Sequence, residues 1–564
     1  MFFASLLSLL SVYIYYQYFQ SIYTSDVVWV NSGLRTFDIC AELPTLWYYM
    51  KLFSLIVCWI TYVQIFYYAF SFPLHFIKKR KRHKQKDPIF THISPFSVYI
   101  GNTVKHQKKL FLPEKSLYQN MLITGTIGTG KTSSAMYPFT KQLLQYHDEN
   151  NGYLGMLILD VKGNYHKQVL EFATQCGRKK DVVVIEIGGK YKYNPLNKPH
   201  LSPMVLANRL KTILQLFSPN STESYWLDKV EQILAECIKL CRMYNHQYVT
   251  FEEIHKLVND HDYYLEKMKV FRTLFLSGKL SHEDCYHLLS GIQFFEKEFF
   301  HLDSRTLSIL KSEITRITNY FISDYRVLKT FNPLPEEENF HGFEDAIENG
   351  KIVVLNMNIH QHQNLSKIIA AYLKLDFQSE VMARLSHNPP YSIKPVAFLC
   401  DEYHEYVTLS DANFFAQSRE AKCINIVATQ SYTSLLHTLQ DKYATEVILQ
   451  NLINKLWFRT DDLYTIESAQ KQIGQIDKTK VSKTISENAK ETNFNYITHS
   501  FHSENSNLSE SYNTYQQKEY LYDTHFFTRE LENFSCLAFL SDGSKIHLPQ
   551  KIHLLPYFQH KEVL

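Results

Sequence analysis

Two short stretches of this chain carry residue types suited to phosphoryl transfer. Gly125-Thr126-Ile127-Gly128-Thr129-Gly130-Lys131-Thr132 has the spacing Gly, four residues, Gly-Lys-Thr. In that pattern the glycines let backbone N–H groups converge on phosphate oxygens. Lys131 would reach the β- and γ-phosphates of ATP, Thr132 would give its hydroxyl to Mg²⁺, and Ser133 follows in the same phosphate-binding run. Far along the chain an apolar run from Pro395 ends in Asp401-Glu402. There Asp401 would hold Mg²⁺ through water and Glu402 would act as general base on the attacking water. Gln430 closes another apolar run, Ile424 to Thr429, and could sense the γ-phosphate or place the water. Taken alone, the first stretch also reads as a glycine loop between strand and helix, and the second as a buried strand with two solvated acids at its exit.

Elements of the right kind flank these residues. Met121 to Thr124 is a short apolar run that predicts a buried parallel strand, and Ser133-Ser134-Ala135-Met136 can open a helix whose N-terminus faces the loop. Gly155 to Asp160, Asp181 to Ile187 and Lys351 to Asn356 are further strand-like runs, with a long amphipathic helix from Leu365 to Leu385. Strands alternating with helices predict a parallel sheet covered on both faces, with ligands at the C-terminal strand ends, where Asp160 and Lys162 also fall. From Ser202 the strand pattern stops. Apolar residues at helical spacing run from Tyr225 through Cys241, then Phe251 to Val258, Tyr263 to Leu274 and Leu307 to Phe321. Leu289-Ser290-Gly291-Ile292-Gln293 is close to the ABC-transporter signature. It lies more than a hundred residues before the Asp401 strand and inside a helical run, so it is set aside.

The first 86 residues read differently. Phe2 to Phe19 and Leu52 to Phe72 are apolar, aromatic runs long enough to span a bilayer, separated by a polar loop. Lys78-Lys79-Arg80-Lys81-Arg82-His83-Lys84 follows the second. Such a cluster marks the cytoplasmic side and predicts a cell-membrane protein with the bulk of the chain in the cytoplasm. A cleaved signal peptide is the alternative for the first run, and contact with anionic lipid or nucleic acid for the basic cluster.

The 564 residues allow two to four domains, and 45% hydrophobic with 20% charged residues is a globular balance. A net charge of +3 neither implies nor excludes a nucleic-acid partner. Nine cysteines include no C-x-x-C pair, and they read as thiols in a reducing compartment. The polar, Ser/Asn-rich stretch 478–517 reads as an exposed hairpin or a flexible loop, and Phe534 onward as a closing hairpin.

The order of motifs, namely two spans, a basic stop, the Gly125–Thr132 loop, Leu-Asp160-Val-Lys162-Gly-Asn164 and Tyr193-Asn194-Pro195-Leu196, resembles the coupling proteins of type IV secretion systems, the TraG/TraD-like conjugative ATPases. In that family the Asp160 motif usually ends in an acid, and here it ends in Asn164. The resemblance implies an α/β fold: a RecA-like P-loop NTPase domain in two parts, 87–204 and 331–564, with an inserted all-helical domain at 205–330, behind a two-helix transmembrane anchor at 1–86. It implies ATP and Mg²⁺ as ligands. Implied partners are single-stranded DNA with its relaxase, type IV secretion channel components, the membrane and further copies in a homo-hexamer. It also implies that Arg419 acts across a subunit boundary as an arginine finger; a surface salt bridge is the alternative. Asn451, Asn454 and Arg459-Thr460-Asp461 resemble the family's stretch after the Gln430 strand. Two other functions stay open at this point: a protein-docking receptor with ATP as an assembly switch, and a double-stranded DNA translocase.

Overall fold

The computed structural model describes residues 96–562 except 149–151, 218–223, 358–362, 388–392, 489–492, 496–499 and 503–506, together with scattered positions between 13 and 65. The chain divides into two units, 1–88 and 89–564. In the first, the predicted span Phe2–Phe19 lies outside the described residues except for Tyr13, and about half of the span Leu52–Phe72 is described, with 52–53, 56–57 and 59–65 helical. Among the described residues no helix is long and apolar enough to cross a membrane.

The second unit is built on one sheet of eleven strands. They are β1 (Ser97–Thr103), β2 (Lys109–Pro113), β3 (Met121–Thr124), β4 (Gly155–Leu159), β5 (Val182–Ile185), β6 (Ile352–Leu355), β7 (Val396–Cys400), β8 (Cys423–Thr429), β9 (Asn454–Phe458), β12 (Ser535–Phe539) and β13 (Gln550–His553). The two missing numbers, β10 (Gln475–Asn488) and β11 (Asn507–Tyr520), form a separate antiparallel ribbon. The sheet order is β2-β1-β13-β12-β9-β3-β8-β7-β4-β6-β5. From β9 to β5 every pairing is parallel, and the other end of the sheet is antiparallel.

Five of the parallel strands, β3 to β7, read as near-continuous apolar runs because both faces are buried, while β8 carries a buried Asn425 and β9 opens with Asn454 and Lys455. Alternate residues go to opposite sides. Leu157, Leu159, Val353, Leu355, Phe398 and Cys400 join one core, and Met156, Ile158, Ile352, Val354, Ala397 and Leu399 join the other. Helices α1 (Tyr137–Gln145) and α2 (Tyr165–Gln175) cover the second face.

Between β5 and β6 the chain leaves the sheet for a run of helices: α3 (Pro203–Phe217), α4 (Ser224–Tyr244), α5 (Phe251–Asn259), α6 (His261–Leu276), α7 (His282–Gln293), α8 (Ser304–Ile322) and α9 (Tyr325–Phe331). Local capping explains where these helices begin. Thr250 and Glu253 form a capping box on α5, and Asp260, Ser281, Asp303 and Asp324 accept backbone N–H groups at the starts of α6 to α9. The Leu289–Gln293 stretch lies in α7, where Gly291 is buried against Leu240 of α4.

The Tyr193-Asn194-Pro195-Leu196 motif joins these helices to the sheet. The Tyr193 hydroxyl donates to Asp376 at 2.8 Å, Asn194 Nδ2 donates to the Val249 carbonyl, and the Pro195 carbonyl accepts from Tyr372. Asp376 lies in α10 (Gln363–His387) and is fully buried. Burial would push its carboxyl up, but Lys198 at 3.0 Å and Arg209 of α3 at 2.7 Å outweigh that and hold it below the usual carboxylate range. Asp376→Ala strands two buried cations, and we expect it to cost about 3–5 kcal/mol of stability, read as a lowered midpoint in chemical denaturation.

Strand β9 carries a lysine in the core. Lys455 is buried, donates only to the Leu452 carbonyl at 2.7 Å, and burial pushes its pKa down to about 8 from 10.5. Between those two pH values the unfolded chain binds more protons, so stability rises with pH, and below pH 8 the penalty is fully present. Lys455→Met is therefore expected to stabilise the protein by about 2–3 kcal/mol at pH 7. In pH-resolved thermal denaturation the gain should fade as the pH approaches 10.5.

Candidate nucleotide site

Five adjacent parallel strands end side by side: β9, β3, β8, β7 and β4. Their C-terminal ends deliver, in that order, Arg459, the Gly125–Thr132 loop, Gln430, Asp401-Glu402 and the Asp160–Asn164 turn. One strand, β8, separates the loop strand from the strand bearing the two acids.

The loop is held at both ends. Thr126 N donates to the Arg459 carbonyl at 2.9 Å, and Phe534 N donates to the Thr129 carbonyl at 3.0 Å. Gly130 has φ 95°, and a Cβ there would lie 2.4 Å from the Phe534 ring. Both facts demand glycine. After it the chain enters a π-helical turn, Lys131–Met136, rather than the regular helical start expected from the sequence, and continues into α1. Lys131 is buried and its Nζ donates to the carbonyls of Gly125 (2.5 Å) and Thr126 (3.2 Å). Burial lowers its pKa, opposed by the carboxylates of Glu402 and Asp401.

Thr132 Oγ1 donates to Asp401 Oδ2 at 2.7 Å. Burial first, then the charge of Glu402, pushes the Asp401 carboxyl up to about 6, with the Thr132 hydroxyl pulling the other way. A hydroxyl and a carboxylate converging at one point form an all-oxygen donor pair that fits Mg²⁺ bound together with nucleotide phosphates. Thr132 and Asp401 are the residues that would hold it. The metal would supply charge neutralisation at the phosphates.

Glu402 follows in a left-handed conformation, φ 51°, unusual for a residue with a side chain. The turn carries the chain into a short 3₁₀ segment, 403–405, and leaves the Glu402 side chain among three groups. Gln430 Nε2 donates to its Oε2 at 3.4 Å, Lys162 Nζ lies 3.6 Å from Oε1, and His404 Nδ1 lies 3.8 Å from Oε2. Burial holds the His404 imidazole below its ordinary pKa despite Glu402 and Glu405, so it is neutral at pH 7, and it shares a hydrogen bond with Thr429. The loop beyond is anchored from beneath. Asp411, fully buried, accepts from Lys374 Nζ at 2.7 Å, from the Tyr403 hydroxyl and from Thr408 N.

The structure thus brings Lys131, Thr132, Asp401, Glu402 and Gln430 together. Ser133 turns its hydroxyl back to the Gly130 carbonyl. Arg419 is elsewhere. It lies exposed in the turn before β8, donating to the Gly543 carbonyl at 3.4 Å, at the opposite end of a seven-residue strand about 20 Å long. Asn451 and Asn454 bond to backbone carbonyls of Ala412, Ser116 and Asn120. Arg459 contributes its carbonyl to the loop while its side chain meets Asn533. Phe534 and His404 were not marked by any motif in the sequence; a glycine loop that must be capped from outside was the available signal for the first.

The fold and site define the class: a mixed α/β P-loop NTPase fold around a large, mostly parallel sheet. Residues 395–559 match the family described as the TraM recognition site of TraD and TraG. The fold is similar to that of the bacterial conjugative coupling protein TrwB lacking its first 70 residues, at 10% identity and TM-score 0.51, covering 81% of this chain and 88% of that one. The complex of TrwB with ADP and Mg²⁺ (11%, 0.52, 83% and 90%) and that with a non-hydrolysable ATP analogue (13%, 0.51, 83% and 90%) match equally. No curated protein matches by sequence. The family match and the shared fold bear out the resemblance to type IV coupling proteins.

The contact between Gly130 and Phe534 gives a direct test. Gly130→Ala should lose nucleotide binding at least about 30-fold, because the strained φ and the ring clash together cost about 2–4 kcal/mol. Binding of a fluorescent nucleotide analogue would measure it.

Proposed function

We propose that this protein is an ATPase of conjugative transfer that couples relaxase-bound single-stranded DNA to a type IV secretion channel. The observation that carries the ATPase part is the Thr132–Asp401 hydrogen bond beside Glu402, opposite a glycine loop whose lysine is buried. Lys131 would bind the β- and γ-phosphates, Thr132 and Asp401 the Mg²⁺, and Glu402, aided by Gln430, the attacking water. The coupling role is supported by the family match over 395–559 and by the shared fold of TrwB, which is described as a conjugative coupling protein. The matched family is described as a TraM recognition site, which supports a contact of this region with DNA-processing partners.

In this reading residues 1–86 are a two-span membrane anchor, with the basic run 78–84 on the cytoplasmic side. Copies assemble as a homo-hexamer, and the exposed Arg419, which faces away from its own nucleotide site, completes the site of a neighbour. Single-stranded DNA would be gripped by its backbone and bases without sequence reading.

The test is ATP turnover by the full chain in detergent, with and without single-stranded or duplex DNA. Lys131→Ala is expected to lower turnover more than about 100-fold, and Glu402→Gln by about 10²–10⁴ while still binding ATP. Turnover that rises with single strands and with protein concentration supports the reading. Turnover unchanged by Lys131→Ala would overturn it. Transfer that survives Glu402→Gln in cells would move the role to protein docking with ATP as an assembly switch, and stimulation by duplex alone to a double-stranded DNA translocase.

A further inference from the structure

We propose that Lys162 is a catalytic cation for the γ-phosphate, held on Glu402 until a nucleoside triphosphate arrives. The inference rests on the ATPase reading above and adds a residue that the phosphate loop and the acid pair do not supply.

The turn after β4 is built to present this side chain. Asp160, almost fully buried at the strand end, accepts hydrogen bonds from the backbone N–H groups of Lys162 (3.1 Å), Asn164 (3.2 Å) and Tyr165 (3.2 Å). Gly163, at φ 68°, lets the chain double back into α2. The backbone of Lys162 is therefore fixed, while its side chain remains 54% exposed. Anchored at one end and free at the other, the ammonium can move within the arc of its four-carbon stem.

Its position places it opposite Lys131 across the acids. Lys162 Nζ lies 3.6 Å from Glu402 Oε1, and its charge is felt at both Lys131 and Asp401. A triphosphate whose terminal phosphates meet Lys131 and the Thr132–Asp401 pair has its γ-phosphate on the Glu402 side, within reach of Lys162. Arg419, the other cation the sequence points to, is at the far end of β8 and cannot serve the same protomer's site.

The exchange is favoured by charge. Lys162 is half open to water while Glu402 is nearly buried, and at 3.6 Å the two make no direct hydrogen bond, so the ammonium is held there only by charge. A γ-phosphate offers more negative charge and several acceptor oxygens. Moving Lys162 to the phosphate does two things at once. It frees the Glu402 carboxylate to accept a proton, and it adds positive charge where the transition state concentrates negative charge. In the step, the water oxygen bonds to the γ-phosphorus and its proton passes to Glu402. The bond to the β–γ bridging oxygen breaks, and its electron pair leaves with the nucleoside diphosphate. ADP, lacking the γ-phosphate, leaves Lys162 on Glu402, so the same contact tells substrate from product.

The experiment compares the full-length wild type with Lys162→Gln and Lys162→Arg, measuring turnover and the affinities for ADP and for a non-hydrolysable ATP analogue. Lys162→Gln is expected to lower kcat about 100-fold and to weaken the analogue about tenfold while leaving ADP unchanged. Lys162→Arg should recover part of kcat. Turnover of Lys162→Gln within about twofold of wild type, or equal weakening of ADP and analogue, would overturn the proposal, the second outcome marking a merely structural lysine. Should the wild type bind the analogue but hydrolyse no faster than Lys131→Ala, the ATPase reading falls and the catalytic role of Lys162 falls with it. Its contact with the γ-phosphate is then still decided by the analogue-to-ADP ratio.

Discussion

A carboxylate at the end of a fully buried strand has to find charge or donors, and Asp401 meets that constraint through Thr132. The hydrogen bond spans two strands of the sheet, since β8 stands between the strands that carry the two residues. Its geometry depends on β3, β8 and β7 keeping a common register, which the Ile426–Met121 and Cys423–Val396 pairings set. Strands with such one-sided demands at their ends need rigid, dry flanks, and the two apolar cores supply them. The backbone cost of the left-handed Glu402 is borne by the same frame, through the buried Lys374–Asp411 pair under the following loop.

Parts of this were readable from residue order. β3, β4, β6 and β7 are short, continuous apolar runs, and a parallel strand buried on both faces leaves that mark; β8 is broken only by Asn425, whose amide bonds Asn120 and Ser418. The spacing of glycines before Lys131 has few other uses. The helices between β5 and β6 carry helical periodicity, whereas α10, expected to be amphipathic, is buried almost all round, with Lys374 and Asp376 each paired inside the core. Of the stretch 478–517, residues 478–488 and 507–517 lie in the ribbon, which has fourteen residues in each of β10 and β11.

Other parts were hidden for identifiable reasons. β9 opens with Asn454 and Lys455, polar residues that argue against a core strand. Asn454 earns burial by bonding the backbone of Ser116 and Asn120, and Lys455 by a single carbonyl. The antiparallel extension through β12, β13, β1 and β2 joins the two ends of the unit, a long-range pairing with no local signal. Tyr193-Asn194-Pro195-Leu196 stood in the sequence only as part of the motif order, with no role read from its residues. Its bonds to Asp376, Val249 and Tyr372 make it a junction between the helices and the sheet, because its partners come from segments far away in sequence. The place of Arg419 could not be read without knowing that β8 runs parallel to β3.

The strand order also governs when the fold can exist during synthesis. β3 leaves the ribosome early, yet its neighbours are β8 and β9, and the final strand of the sheet is β13 at residues 550–553. The roughly 300 residues between β3 and β8 take about 15–60 s to translate at 5–20 residues per second. Throughout that interval the phosphate-loop strand has no partner on either side, and its apolar edges are open to other chains. The helices between β5 and β6 close mostly on sequence neighbours and can pack first. A chain arranged in this way carries an unpaired apolar strand edge until its second half is made, the stage at which pairing with another chain competes most with folding.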